Sequence, residues 1–137
     1  MSPLMKDQEL VQSRALPASA SSNVSSSPID LEKTTRGKHL ATCELEVSAP
    51  AVNATMAPDT RTFTYSLEHD DAVGFGSAAV LHPSLIVQTG ASSAGAAAAT
   101  ARFRLPVDVK RYVRLKVTSS ASTGDASSVA ATLSLLF

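Results

Sequence analysis

Three histidines, His39, His69 and His82, supply the imidazoles of this chain, and one of them sits in an acidic run, Glu68-His69-Asp70-Asp71. That composition suits a cation site or acid–base chemistry. The spacing does not. Adjacent residues of an extended chain point to opposite faces, so the four groups do not converge without a bend. The expectation is a solvated strand end with no metal ligand. Serine is abundant, yet no Ser stands in a Gly-x-Ser-x-Gly elbow. The run GASSAGAAAAT, Gly90 to Thr100, has glycines but lacks the Gly-Lys-Ser/Thr of a phosphate-binding loop. Cys43 is the single cysteine, which excludes an internal disulfide and a cysteine-based zinc cluster. It falls on an apolar strand face, where a buried, inert thiol is the default. Asn23-Val24-Ser25 and Asn53-Ala54-Thr55 match the glycosylation pattern and are read as chance. No catalytic residue, cofactor-binding residue or cofactor is assigned, and the chain is expected not to be an enzyme.

The elements that would position these residues are read from period. In ATCELEVSA, Ala41, Cys43, Leu45 and Val47 share one face, and Thr42, Glu44, Glu46 and Ser48 share the other. Such alternation marks a half-buried strand. TFTYSLEH repeats it with Phe63, Tyr65 and Leu67, and SLIVQT from Ser84 to Thr89 reads as a buried strand. Alanine propensity in Gly90 to Thr100 favours helix, but two glycines and the alternation of Ala101, Phe103 and Leu105 favour a strand over about 97–105. From Lys110 to Phe137 the chain reads as a long closing hairpin, with Val113, Leu115, Val117, Val129, Leu133, Leu135 and Phe137 inward. Its turn, SASTGD, carries Gly124, which is able to take positive φ. Ser19 to Pro28, SASSNVSSSP, is low in bulk and reads as an extended arm. The expected organisation is an N-terminal arm over residues 1–28, with a possible short strand from Glu9 to Leu16. A β-sandwich domain then spans residues 29–137, with a basic turn at Lys33 to Lys38. Strands at this spacing imply an all-β sandwich or barrel.

The totals agree with one domain. The chain has 137 residues, 44% hydrophobic but only 4% aromatic, so Ala, Val and Leu must fill a thin core. MSPLMKDQEL has no apolar stretch of leader length, and no apolar run approaches a membrane span, so no membrane partner is expected. Twelve basic and twelve acidic residues cancel. Their distribution is uneven: from Ala101 onward, six basic residues face two acidic ones. Arg102, Arg104, Lys110, Arg111, Tyr112, Arg114 and Lys116 are therefore the candidate contact residues. Two readings stay open, a solvated face guarding against edge pairing and a docking face for an acidic partner. The neutral total and the scarcity of aromatics beyond Tyr112 weigh against nucleic acid.

The ending LPVDVKRYVRLKVTSSASTGDASSVAATLSLLF resembles the C-terminal signature of the capsid cement, or head decoration, proteins of tailed bacteriophages, the Bordetella phage type. QELVQSRALPASASSNVSSSPIDL and TFTYSLEHDDAVGFGS are similar to that family in order and texture, and Leu105 to Leu115 is the most specific segment. The resemblance implies a jelly-roll β-sandwich of about eight strands on the outer surface of the virion head. Its implied partners are the phage major capsid protein and further copies of itself, as a homodimer or homotrimer, made in the host bacterial cytoplasm. Two rivals are a tail or fibre β-module that binds a host glycan and a cupin-type enzyme. The first usually needs aromatic platforms, and the second needs His and Glu clustered on facing strands.

Overall fold

The computed structural model of the chain describes residues 6–31, 43–121 and 123–136, with the backbone alone for 6–9. Nine strands lie in this part: β1 (Lys6–Ala15), β2 (Asn23–Ser25), β3 (Ile29–Asp30), β4 (Glu44–Ala49), β5 (Thr62–Asp70), β6 (Ala79–Thr89), β7 (Ala99–Arg104), β8 (Tyr112–Ser119) and β9 (Ala130–Leu136). They form two antiparallel sheets, a β-sandwich. One runs β1-β9-β4-β7, and the other runs β2-β8-β5-β6 with β3 also on β8. The pairs nest. The first strand lies on the last, β2 and β3 lie on β8, β4 lies on β7, and β5 lies on β6.

Alternation puts one face of each strand inside. Leu45, Val47 and Ala49 of β4 and Leu133 and Leu135 of β9 meet Phe63, Tyr65 and Leu67 of β5 and Val113, Leu115 and Val117 of β8 in one core. Cys43 is fully buried there, as its apolar face demanded. Tyr65 and Phe63 are the bulkiest fully buried side chains, so two aromatics span a gap otherwise filled by aliphatic residues.

The sequence reading needs correction at several points. Ser84 to Thr89, read as a buried strand, lies in the border strand β6 with Val87 51% exposed, and Glu68 and Asp70 of the acidic run are buried rather than solvated. The closing segment is not a hairpin, because β8 and β9 belong to different sheets. The connection between them is too long for a tight turn and is tied across the end of the sandwich. Gly124 N–H donates to Met56 O at 2.9 Å, and Ala126 N–H donates to Pro17 O at 3.1 Å. Alternation fixes which face is buried, but it does not name the partner strand. Gly124 is also not at positive φ; Gly95 is, at 68°. Gly124 is required because a Cβ would stand 2.1 Å from Thr55 O. Residues 6–28, expected as an extended arm with a possible short strand from Glu9 to Leu16, are extended along the protein itself, with β1 in the place of that strand. β1 is a border strand, Leu16 is 1% exposed, and Ser26 Oγ accepts the Leu115 N–H at 3.0 Å. Leu10, Leu16 and Val24 pack on the core at wide spacing, and serines make hydrogen bonds beside them, so hydrophobic patterning registers this stretch poorly. The basic turn at 33–38, His39, Ala41 and Phe137 lie outside the described residues.

One polar group joins the layers. Tyr65 Oη donates to Gln88 Oε1 at 2.6 Å, and Gln88 Nε2 donates to Pro50 O at 2.7 Å and to Ala97 O at 3.0 Å. Gln88 is 3% exposed and belongs to β6, whereas Pro50 follows β4 and Ala97 precedes β7. A single carboxamide therefore fastens one sheet to the chain that leaves and enters the other. Burial raises the Tyr65 phenol well above its ordinary pKa, so it remains a donor. Gln88→Leu strands the phenol and both carbonyls and should cost about 3 kcal/mol in urea denaturation, with Tyr65→Phe returning about 1 kcal/mol in the double variant. A loss below about 1 kcal/mol would remove this fastening role.

Candidate docking surfaces

The seven candidate contact residues do not form one face. Arg102 and Arg104 project from β7, at the border of the four-stranded sheet. Tyr112, Arg114 and Lys116 line the outer face of β8, inside the other sheet, while Lys110 and Arg111 precede it. The two groups lie on opposite sides of the sandwich.

Most of the arginines already have acidic partners. Glu46 is in register with Arg102, and Glu44 with Arg104. Arg102 Nε lies 3.2 Å from Glu46 Oε2, and Arg104 Nη2 lies 3.9 Å from Glu44 Oε1. Across the other sheet, Glu68 is in register with Arg114, and their side chains pair at 2.9 Å. Arg111 donates to both oxygens of Asp30, at 3.1 and 3.0 Å, and its guanidinium carbon lies 5.0 Å from the centre of the Tyr112 ring. The pairs of Arg102, Arg104 and Arg114 are cross-strand pairs, the unit of sheet stabilisation. Glu44 and Glu46 repeat at the same two-residue interval as Arg102 and Arg104, but so do Arg114 and Lys116, so the interval alone does not name the partner strand.

Exposure separates the pairs. The Arg104 side chain is 73% exposed and that of Glu44 is 20% exposed, so this contact is a weak surface pair. Arg114 and Glu68 are 24% and 10% exposed. Phe75, 8% exposed, lies over the Arg114 guanidinium with 4.2 Å between the guanidinium carbon and the ring centre. Sequence reasoning missed Phe75, because a lone aromatic between two glycines reads as loop. Its backbone holds φ at 54°. The carboxylate of Asp70 fastens this loop by accepting N–H groups from Ser77 at 2.9 Å and Ala72 at 3.2 Å. Those backbone donors, Ser77 first, hold the Asp70 pKa below its ordinary value.

The acidic run around His69 is used structurally. His69 Nδ1 accepts the Lys110 backbone N–H at 3.1 Å, which requires an unprotonated nitrogen. Burial first, and then the Lys110 charge, lower its pKa. His82 stands edge-on to Phe103, with ring centres 5.6 Å apart. Among the described residues, no group of three or more His, Cys, Asp or Glu side chains is arranged to hold a metal ion. At the far end of the sandwich an open depression of about 590 Å³ is lined by small residues, including Ala51, Val52, Ala94 and Ala96. It offers no charged group. Comparison with models of known protein families and with curated proteins finds no match to this chain.

Two outcomes follow from these contacts. Arg114→Ala leaves Glu68 without its partner and uncovers Phe75, so it should cost about 2 kcal/mol, whereas Arg104→Ala should cost under about 0.5 kcal/mol by chemical denaturation. The folded pKa of His69 is depressed. Its contribution to stability is thus complete above the unfolded value near 6.5 and is lost as pH falls toward the folded value. Melting temperature should drop between roughly pH 7 and pH 5, and His69→Asn should flatten that part of the profile. An unchanged slope in the variant would rule His69 out as its source.

Proposed function

We propose that this protein is a capsid cement protein of a tailed bacteriophage, bound to the outside of the head and bridging neighbouring subunits of the major capsid protein. The observation that carries this reading is the likeness of Leu105 to Leu115, LPVDVKRYVRL, to the signature segment of that family. Here the segment leaves β7, crosses to the other sheet and begins β8, so its Arg and Tyr side chains emerge on an outer face. We also infer the jelly-roll form of the sandwich. Support comes from the nested pairs, which read as one long antiparallel ribbon folded at the β5–β6 connection and wrapped into two sheets.

The mechanism is mechanical rather than chemical. DNA packed inside a head pushes its shell outward. A protein that bridges two shell subunits adds its own contacts to those that must break before they separate. Each contact can be weak, because attachment at one point raises the effective concentration of the next. Copies of the protein related by symmetry would present matching patches to the shell. Docking falls to the outer faces, since β1 and Leu16 hold the N-terminal stretch to the sandwich. Arg104 and Lys116 are the basic side chains best placed to meet carboxylates of the shell. Arg104 keeps most of its surface in water, and Lys116 stands on the outer face of β8.

The direct test is sedimentation of the purified chain with emptied phage heads. Saturable binding at a fixed copy number is expected, together with greater resistance of the heads to heat. Lys116→Glu should lower occupancy about tenfold at low salt and less at high salt, where charge is screened. Failure to sediment with heads at any salt concentration would overturn the reading, and retention on a host glycan would replace it.

A further inference from the structure

Among the described residues the two sheets have four borders, and three of them are irregular. β1 slips in register against β9 between Lys6 and Val11. On the other sheet, β2 and β3 are short and interrupted. β6 contains Pro83 and slips twice against β5. Slips, breaks and proline are the devices that stop a border from adding a strand. β7 has none of them. It pairs with β4 through six consecutive positions, from Ala99 opposite Ala49 to Arg104 opposite Glu44.

The open side of β7 can be assigned. Leu105 N–H donates to Cys43 O at 3.2 Å, toward the β4 side. Antiparallel ladders alternate, so the backbone groups of Ala99, Ala101 and Phe103 also face β4. Those of Thr100, Arg102 and Arg104 face away, and no strand among the described residues pairs with them. The same three residues are exposed on the outer face of the sheet. Arg102 uses Nε on Glu46, and its side chain is still 53% exposed. On the inner side, Phe103 and His82 of β6 stand beside this border and are half-buried.

We propose that the free edge of β7 takes up an extended strand that carries carboxylates at alternate positions. Main-chain hydrogen bonds to Thr100, Arg102 and Arg104 supply the adhesion, and Arg102 and Arg104 select the sequence, as in other strand additions. Carboxylates two residues apart in the added strand fall on the outer face beside the two guanidiniums. Its other side chains turn inward and cover Phe103 and His82. A second copy of β7 is the poorer occupant. Antiparallel pairing about Arg102 sets Arg102 against its counterpart, and a shift one way sets it against Arg104, with like charges directly opposite. A shift the other way sets it against Thr100 and offers no carboxylate to either guanidinium. The proposal deepens the docking reading above by naming the kind of segment a shell subunit would offer, and it rests on that reading for the source of the segment alone.

The test uses the full chain, isotopically labelled, and a capped peptide of sequence Thr-Glu-Val-Glu-Thr-Glu. With the peptide present, the amides of Thr100, Arg102 and Arg104 should exchange with solvent more slowly, by about fivefold or more, while those of Ala99, Ala101 and Phe103 stay as protected as before. The peptide with Lys in place of Glu should give no slowing. In the Arg102→Gln/Arg104→Gln variant, which keeps side-chain length, the preference for the acidic peptide should disappear. No slowing with the acidic peptide, equal slowing with both peptides, or slowing that depends on protein concentration alone would each overturn the proposal. Head binding without peptide binding removes this inference and leaves the cement reading standing; peptide binding without head binding does the reverse.

Discussion

The first strand of this sandwich lies on the last. β1 pairs with β9, and a series of pairs nests inside that one: β2 and β3 on β8, β4 on β7, and β5 on β6, with β4 on β9 and β5 on β8 joining successive pairs into sheets. Sequence separation between partners therefore grows steadily from the β5–β6 connection outward. The innermost pair can form locally, but the outermost must close a loop of more than a hundred residues. Such a topology folds slowly, because most of the entropy of closure is lost before the long-range contacts form. It also leaves each sheet dependent on the other. A core built from Val, Leu and Ala with two central aromatics has no second layer to cover it, so neither inner face is stable alone.

Charge is arranged by the same nesting. The chain is neutral in total, and the outer faces reproduce that balance locally by setting Arg opposite Glu on paired strands. The exposed pairs on β4 and β7 add little to stability. The Arg114–Glu68 pair differs because Phe75 covers it and Asp70 fastens the loop that carries Phe75. An aromatic lid over an ion pair lowers the local dielectric, which strengthens the pair and raises the cost of breaking it. The basic excess after Ala101 thus divides into two populations: guanidiniums committed to the fold, and a few left to face a partner.

Strand existence was legible wherever side chains alternated between bulk and charge. β4, β5, β8 and β9 were readable from Leu45, Phe63, Val113 and Leu133 and their neighbours, and β7 emerged from an alanine run because Phe103 and two arginines kept the period. Pairing was not legible. Lys110 to Phe137 read as a hairpin because both arms bury the same kind of face, and nothing in either arm states that those faces oppose each other across the core. β2 was hidden for a different reason. Its contacts are hydrogen bonds from Ser22, Ser26 and the backbone, and serine is equally common in strands that pair and in segments that do not. The candidate contact residues were found by charge, but the division between faces depends on which sheet each strand joins. Phe75 and Gln88 escaped notice because their roles arise from single contacts across the fold.

The closeness of Lys6 and Leu136, partners at one end of the β1–β9 ladder, decides how the molecule bears load. Tension applied between those two points opens the ladder one rung at a time, like a zipper, and a zipper yields at low force. Tension carried from one outer face to the other acts instead on the whole buried core at once, together with the carboxamide of Gln88. The sandwich is therefore weak along the line joining the paired ends of β1 and β9 and strong through its thickness.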